Sequence, residues 1–358
     1  MAQNSSLDRG TRMREMRWIK LAAISCLSFC VAAKSVPAAD YPEIGISNSQ
    51  LHVRLFLPDA KKGYYRGTRF DWSGVIYSFE HRGHDYYGPW YQKRSSGVRD
   101  FIYQGSDIIA GPCSAITGPV EEFLTNRTAL GYDEAKPGGS FLKIGVGVLR
   151  KPDSDAYDRY REYEIIDPGK WTVRSGHDWV EFTQIVNGPD RYAYIYRKTV
   201  WLSKDKPEMA LEHSLKNTGY RAITTSVYDH NFLVLDRQPP GPGLTITFPF
   251  QIEGKRLPQA GLAEIRQNRI VYLKRLENED RVSTAIEGFS ASPSDYDIRI
   301  ENSRIGAGMR ITGNRPLSRV LLWSIRSVIA VEPYIDFTIS PGKEFTWEYT
   351  YDFYTVSP

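Results

Sequence analysis

Phe345-Thr-Trp-Glu-Tyr-Thr-Tyr-Asp-Phe353 alternates without a break, five aromatic residues with four polar ones between them. Successive side chains of a strand point to opposite faces, so this stretch predicts a β-strand with an aromatic core face and a polar outer face. Leu51-His-Val-Arg-Leu55 and Asp297-Ile-Arg-Ile-Glu301 carry the same two-residue period. Turn formers separate such stretches: Asn187-Gly-Pro-Asp190, Asn217-Thr-Gly219, Pro239-Pro-Gly-Pro-Gly243 and Pro341-Gly342. Met209-Ala-Leu-Glu-His-Ser-Leu215, the Asn-Thr-Gly turn and Ile223-Thr-Thr-Ser-Val-Tyr228 read as a hairpin-like unit, and Pro119-Val-Glu-Glu-Phe123 as the best candidate for a short helix. Closely spaced strands without intervening helices predict an all-β fold, a large antiparallel β-sandwich, rather than a parallel α/β sheet. No repeat and no linker rich in Pro, Gly or Ser divides residues 40–358, which are expected to form one domain; the Pro239 to Gly243 loop is the most break-like point.

The first 39 residues read differently. A basic start ending at Lys20 precedes an uncharged run, Leu21-Ala-Ala-Ile-Ser-Cys-Leu-Ser-Phe-Cys-Val-Ala-Ala33, and small residues up to Ala38-Ala39. This layout predicts a secretory signal peptide over residues 1–39 and export to a periplasm or the exterior. The run is shorter than the roughly 18–20 residues of a spanning helix, so no stable membrane insertion is expected after cleavage. Cys26 and Cys30 lack the context of a lipidation site. Removal of the leader takes six bases and two acids, leaving 40 of each. The basic balance therefore belongs to the leader, and nothing in the remaining charge calls for nucleic acid. Cys113 is then the one cysteine left, unable to form an internal disulfide, so stability must come from the core.

Signatures of the familiar catalytic kinds are missing: no Gly-x-Ser-x-Gly, phosphate loop, His-Glu-x-x-His or Cys-x-x-Cys occurs. His230 lies in Tyr228-Asp-His-Asn-Phe232, where a strand runs into polar residues. A histidine there can exchange a proton near neutrality or simply hydrogen-bond a loop; Asp229 and Asn231 point the other way yet could flank the same site. Glu332 follows the apolar run Val328-Ile-Ala-Val331 and is either a partly desolvated base or a strand-edge acid in water. Phe79-Glu-His-Arg-Gly-His-Asp-Tyr-Tyr-Gly-Pro-Trp90 contributes His84 and Trp90 as substrate-binding candidates. The His81-x-x-His84 spacing lacks further ligands, so no metal is expected. Tyr64-Tyr-Arg-Gly-Thr-Arg-Phe-Asp-Trp72 adds Arg66, Arg69 and Trp72, since guanidinium forks and aromatic faces suit sugar hydroxyls and C–H faces.

Together these segments resemble the galactose mutarotase-like superfamily, the aldose 1-epimerases and their relatives. The resemblance rests on Leu211-Glu-His-Ser-Leu-Lys-Asn-Thr-Gly219, on Tyr228-Asp-His-Asn-Phe232, and on Glu332 with the Pro341-Gly342 turn and the closing aromatic strand. It implies a large antiparallel sandwich with an open sugar-binding face, a mono- or oligosaccharide as partner, and no cofactor. It also implies roles: His230 protonates the ring oxygen and Glu332 takes the anomeric hydroxyl proton, so that the ring opens and recloses as the other anomer. His84 and Arg69 stand in by position for the family's sugar-clamping residues, and the usual His-Pro-Tyr-Phe is altered to His-Asn-Phe. A polysaccharide lyase on the same type of sandwich, with Arg66, Arg69, Arg82 and Arg94 available to a uronate, and a carbohydrate-binding module without chemistry are the competing expectations.

Overall fold

The computed structural model describes residues 41–125, 127–253 and 261–357; the leader expected over residues 1–39 lies outside them. The described residues fall in one compact unit. Two large antiparallel sheets make its body. The first has ten strands, in the order Lys170–Ser175, Trp179–Asn187, Ala193–Leu202, Glu208–Asn217, Glu344–Thr355, Ala307–Gly313, Asp297–Asn302, Leu244–Thr247, Arg269–Tyr272 and Ala263–Arg266. The second has five: Arg281–Ile286, Arg319–Ile325, Val328–Ile339, Ile223–Phe232 and Gly118–Leu124.

The aromatic stretch Phe345 to Phe353 lies at the centre of the larger sheet. Trp347, Tyr349, Tyr351 and Phe353 are buried, and the residues between them are not. With Phe182, Tyr196 and Leu211 they meet Phe123, Val227, Val331 and Ile335 of the smaller sheet in one apolar cluster. That is the expected sandwich, two sheets with apolar faces turned inward. The smaller sheet is covered on its other side too. Phe70, Trp72, Trp90 and Phe141, from the segments that precede or follow Gly118–Leu124, form a second cluster against Val120, Phe232 and Val328. A sheet buried on both faces loses the simple apolar and polar alternation.

Two expectations change. Glu208–Asn217 and Ile223–Phe232 belong to different sheets, so the Asn-Thr-Gly segment is a crossover between layers and not a hairpin turn. Val328–Ile339 and Glu344–Thr355 cross in the same way at Pro341-Gly342. The two crossovers hold each other, since Gly342 N–H donates to the Asn217 carbonyl at 2.9 Å and Asn217 Nδ2 donates to the Ile339 carbonyl at 2.9 Å. Gly342 sits at φ 73°, a conformation that favours glycine. Second, the stretch around Pro119 to Phe123 is the fully buried strand Gly118–Leu124, not a helix. Its adjacent acids point to opposite faces, Glu121 into the sandwich and Glu122 toward the covering layer.

Candidate active site

Ile223–Phe232 pairs with Val328–Ile339 in a register running from Ile223 opposite Ile339 to Tyr228 opposite Tyr334. The bridge between Leu233 and Ile329 keeps that register, which puts His230 opposite Glu332. Between these anchors the direct ladder gives way, and Asn231 Nδ2 instead donates to the Val331 carbonyl at 2.9 Å. Residues 228, 230 and 232 face the covering layer, so the ring of His230 and the carboxyl of Glu332 emerge on the same side. His230 Nε2 and Glu332 Oε1 are 3.2 Å apart, with side chains only 5% and 9% exposed.

Aromatic neighbours fix the imidazole. Phe232 stacks on it at 3.7 Å between centroids, and Phe70 and Trp323 meet it edge-on at 5.6 and 5.9 Å. Nδ1 is buried without a hydrogen-bond partner among the described residues. Burial, helped by the charge of Arg69, pushes the His230 pKa well below its ordinary value. Burial pushes Glu332 up to about 7, against the pull of Arg69 and Arg159. Tyr334 donates to Glu332 Oε2 at 3.3 Å.

Beside this pair lies an ionic cluster built on Glu122. Arg69 Nε donates to Glu122 Oε2 at 2.8 Å, Arg159 Nη1 lies 3.4 Å from the same oxygen, and Lys143 Nζ lies 3.5 Å from Oε1. Tyr228 also donates to Oε2 and accepts from Arg69 Nη2 at 3.2 Å. Burial alone would raise the Glu122 pKa, but the three cations hold it well below the carboxylate range. Burial lowers Lys143 to about 8. The Arg69 guanidinium lies over the rings of Phe70 and Tyr160, 4.3 and 4.9 Å from their centroids. A cleft of about 280 Å³ opens over Arg69 and Arg159 of this cluster and over the His230 and Glu332 pair, lined also by Trp323 and Tyr334.

Of the residues singled out in the sequence, Arg69, Trp90, His230 and Glu332 line this cleft, whereas His84, Arg66, Trp72 and Asp229 do not. Trp90 is a wall, stacked at 5.7 Å on Phe232 and donating from Nε1 to the Ile116 carbonyl. Trp72 is core, its Nε1 bonded to the Gly67 carbonyl. Exposed Arg66 donates to the Lys61 carbonyl. His84 pairs instead with Asp236 at 2.7 Å, and His81 Nδ1 contacts the Gln50 carbonyl, so the two histidines of that spacing have separate partners.

Asp229 faces the interior of the sandwich, where Tyr351 donates to it. It belongs to a second buried polar group, in which Glu121 binds Lys198 Nζ and His213 Nε2, each at 2.6 Å. Burial and then the neighbouring charge of Glu121 push Asp229 up to about 8. Glu122, Arg159, Lys143 and Tyr228 were not picked out as site residues. Two adjacent acids between Val120 and Phe123 were the available signal, because a buried carboxylate requires cations. Tyr157-Asp-Arg-Tyr-Arg161 offers no period to show which arginine turns inward.

No protein-family profile matches the sequence, and no curated protein matches it by sequence. Solved structures match by shape. A candidate aldose 1-epimerase from Escherichia coli K12 superposes with a TM-score of 0.51 at 14% identity, over 88% of this chain and 99% of that one. The Slr1438 protein of Synechocystis sp. PCC 6803 gives 0.51 at 12% identity, over 90% and 98%. The shared architecture is the all-β sandwich laid out above, and the chain has the galactose mutarotase-like fold.

Proposed function

We propose that this chain is an exported carbohydrate-active enzyme that interconverts the anomers of a sugar, with His230 and Glu332 as its proton-transfer pair. The observation that carries the reading is the meeting of these two side chains at 3.2 Å in one cleft. Ring opening of a hemiacetal needs one proton delivered to the ring oxygen and one removed from the anomeric hydroxyl. Both oxygens are bonded to the same carbon, so the donor and acceptor must converge as these two do. His230 delivers the first proton and Glu332 takes the second; reclosure on the other face of the aldehyde reverses both transfers.

The pKa directions suit that cycle. Neutral His230 with protonated Glu332 carries as many protons as imidazolium with carboxylate. A transfer across the contact therefore converts the resting pair into the working one without exchange with solvent. The aromatic box around His230 keeps the ring in place during both transfers, and the fold of the E. coli candidate epimerase supports a sugar as substrate. Export is supported by the leader layout of residues 1–39. The test is polarimetry of freshly dissolved single anomers. Rotation reaching equilibrium faster than in buffer alone, and at the buffer rate with Glu332→Gln, supports the reading; the buffer rate with the wild-type protein on every sugar overturns it.

A further inference from the structure

The cleft holds an unbalanced charge. Arg69, Arg159 and Lys143 gather on Glu122, a single carboxylate with no exposed surface. Oε2 takes up the bonds from Arg69 and Tyr228, while Oε1 accepts no hydrogen bond within the described residues. Buried charge is costly unless matched, and here the cations outnumber the anion that holds them. Two of the three cations face the cleft. The Arg159 side chain is 25% exposed and that of Arg69 7%, against 1% for Lys143. Glu122 and Tyr228 together take Nε and Nη2 of Arg69 and Nη1 of Arg159, and so orient the two guanidiniums at the cleft wall.

The other acids of the cleft, Glu332 and Asp100, act on the arginines from a distance and do not bind them. Glu332 makes its contacts with His230 and Tyr334, and Asp100 accepts from Ser114 Oγ. Neither forms an ion pair within 4.0 Å with Arg69 or Arg159 among the described residues. A guanidinium pair held by a carboxylate at the wall of a cleft is a receptor for a second oxyanion.

We propose that the sugar bound here is acidic, carrying a carboxylate or a phosphate, and that Arg159 together with Arg69 receives that group while His230 and Glu332 address the anomeric centre. The inference rests on the anomer-exchange reading for the second half of that statement only. A neutral hexose leaves the arginines facing water, whereas an acidic sugar places an anion against them and gains charge-assisted hydrogen bonds.

The experiment compares matched sugars on the wild-type protein: glucuronate and galacturonate, glucose 6-phosphate and galactose 6-phosphate, and the parent glucose and galactose. One acidic set is expected to exchange with kcat/KM higher than its neutral parent by about tenfold or more. The set that wins tells carboxylate from phosphate. Arg159→Gln should collapse the ratio of acidic to neutral rates, and Arg159→Lys should restore part of it. Equal or better exchange of the neutral parents, or an unchanged ratio in a folded Arg159→Gln protein, overturns the inference while leaving anomer exchange standing. Binding of methyl glucuronoside and methyl glucose 6-phosphate, which cannot open their rings, is measured in parallel by calorimetry. Uptake of either, lost in Arg159→Gln, with no exchange of any sugar, keeps the acidic ligand and removes the epimerase. If Arg159→Gln fails to fold, the wild-type ratios decide alone.

Discussion

Glu332 is the register partner of His230 across two neighbouring strands of the five-stranded sheet, and their side chains meet at 3.2 Å on its covered face. Opposed positions in an antiparallel pair bring side chains into direct contact, so the backbone itself sets this distance. The pair needs no loop to assemble it.

Activity should follow a bell in pH. The productive pair holds one exchangeable proton, which it loses as pH rises through the raised pKa of Glu332 near 7. On the acid side both groups become protonated only below the depressed pKa of His230, which burial holds well under its usual value. A profile of kcat/KM, which reports the free enzyme, should therefore decline above about pH 7 and stay high well below pH 6.5. A profile still rising from pH 7 to 9 contradicts the assignment.

Glu122→Gln should be severely destabilising. It strips the shared carboxylate from Arg69, Arg159 and Lys143 and leaves their charges unmatched. Breaking a buried ionic group on one side costs about 3–5 kcal/mol, readable by denaturant titration. A loss below about 1 kcal/mol would show that solvent or rearrangement satisfies the cations.

The architecture was more legible than the site. Phe345 to Phe353 has one face in the core and one outside, so its period survives in the sequence. Gly118–Leu124 is buried on both sides, and Glu121 and Glu122 each find cations there, so its polar residues misled the reading toward a helix. Glu332 stood out as an acid after an apolar run, and His230 as a histidine where a strand runs into polar residues. Arg159 did not, because its inward turn depends on Glu122, a neighbour 37 positions away in the chain. Asp229 and His84 have the composition of site residues, but the pleat directs Asp229 to Tyr351 and a loop gives His84 to Asp236.

Asp229 gives a stability prediction with a definite sign. Its pKa is raised in the folded chain to about 8, so from about pH 4 upward the unfolded chain ionises while the folded one resists, and stability falls over that window. Asp229→Asn cannot ionise and should be better tolerated, relative to wild type, at pH 8 than at pH 5. Tyr351→Phe removes the hydroxyl that serves Asp229 and Asn231 and should cost about 1–3 kcal/mol. Paired chemical denaturation at the two pH values checks both; a penalty for Asp229→Asn that grows with pH reverses the sign and contradicts it.

His84→Ala should leave sugar turnover within about twofold of wild type, because the side chain pairs with Asp236 and does not line the cleft. Its loss removes a partly exposed contact with a carboxylate, expected to cost about 1 kcal/mol or less. A tenfold fall in kcat/KM with stability unchanged would place His84 in the working site after all.

The most direct test of the central claim is NMR exchange spectroscopy between α and β anomers, run on a panel of neutral and acidic free sugars with wild type, His230→Asn and Glu332→Gln. The account predicts exchange above background for at least one sugar, abolished by either substitution in folded protein. Exchange that survives both substitutions, or none on any sugar with the wild-type chain, would contradict it.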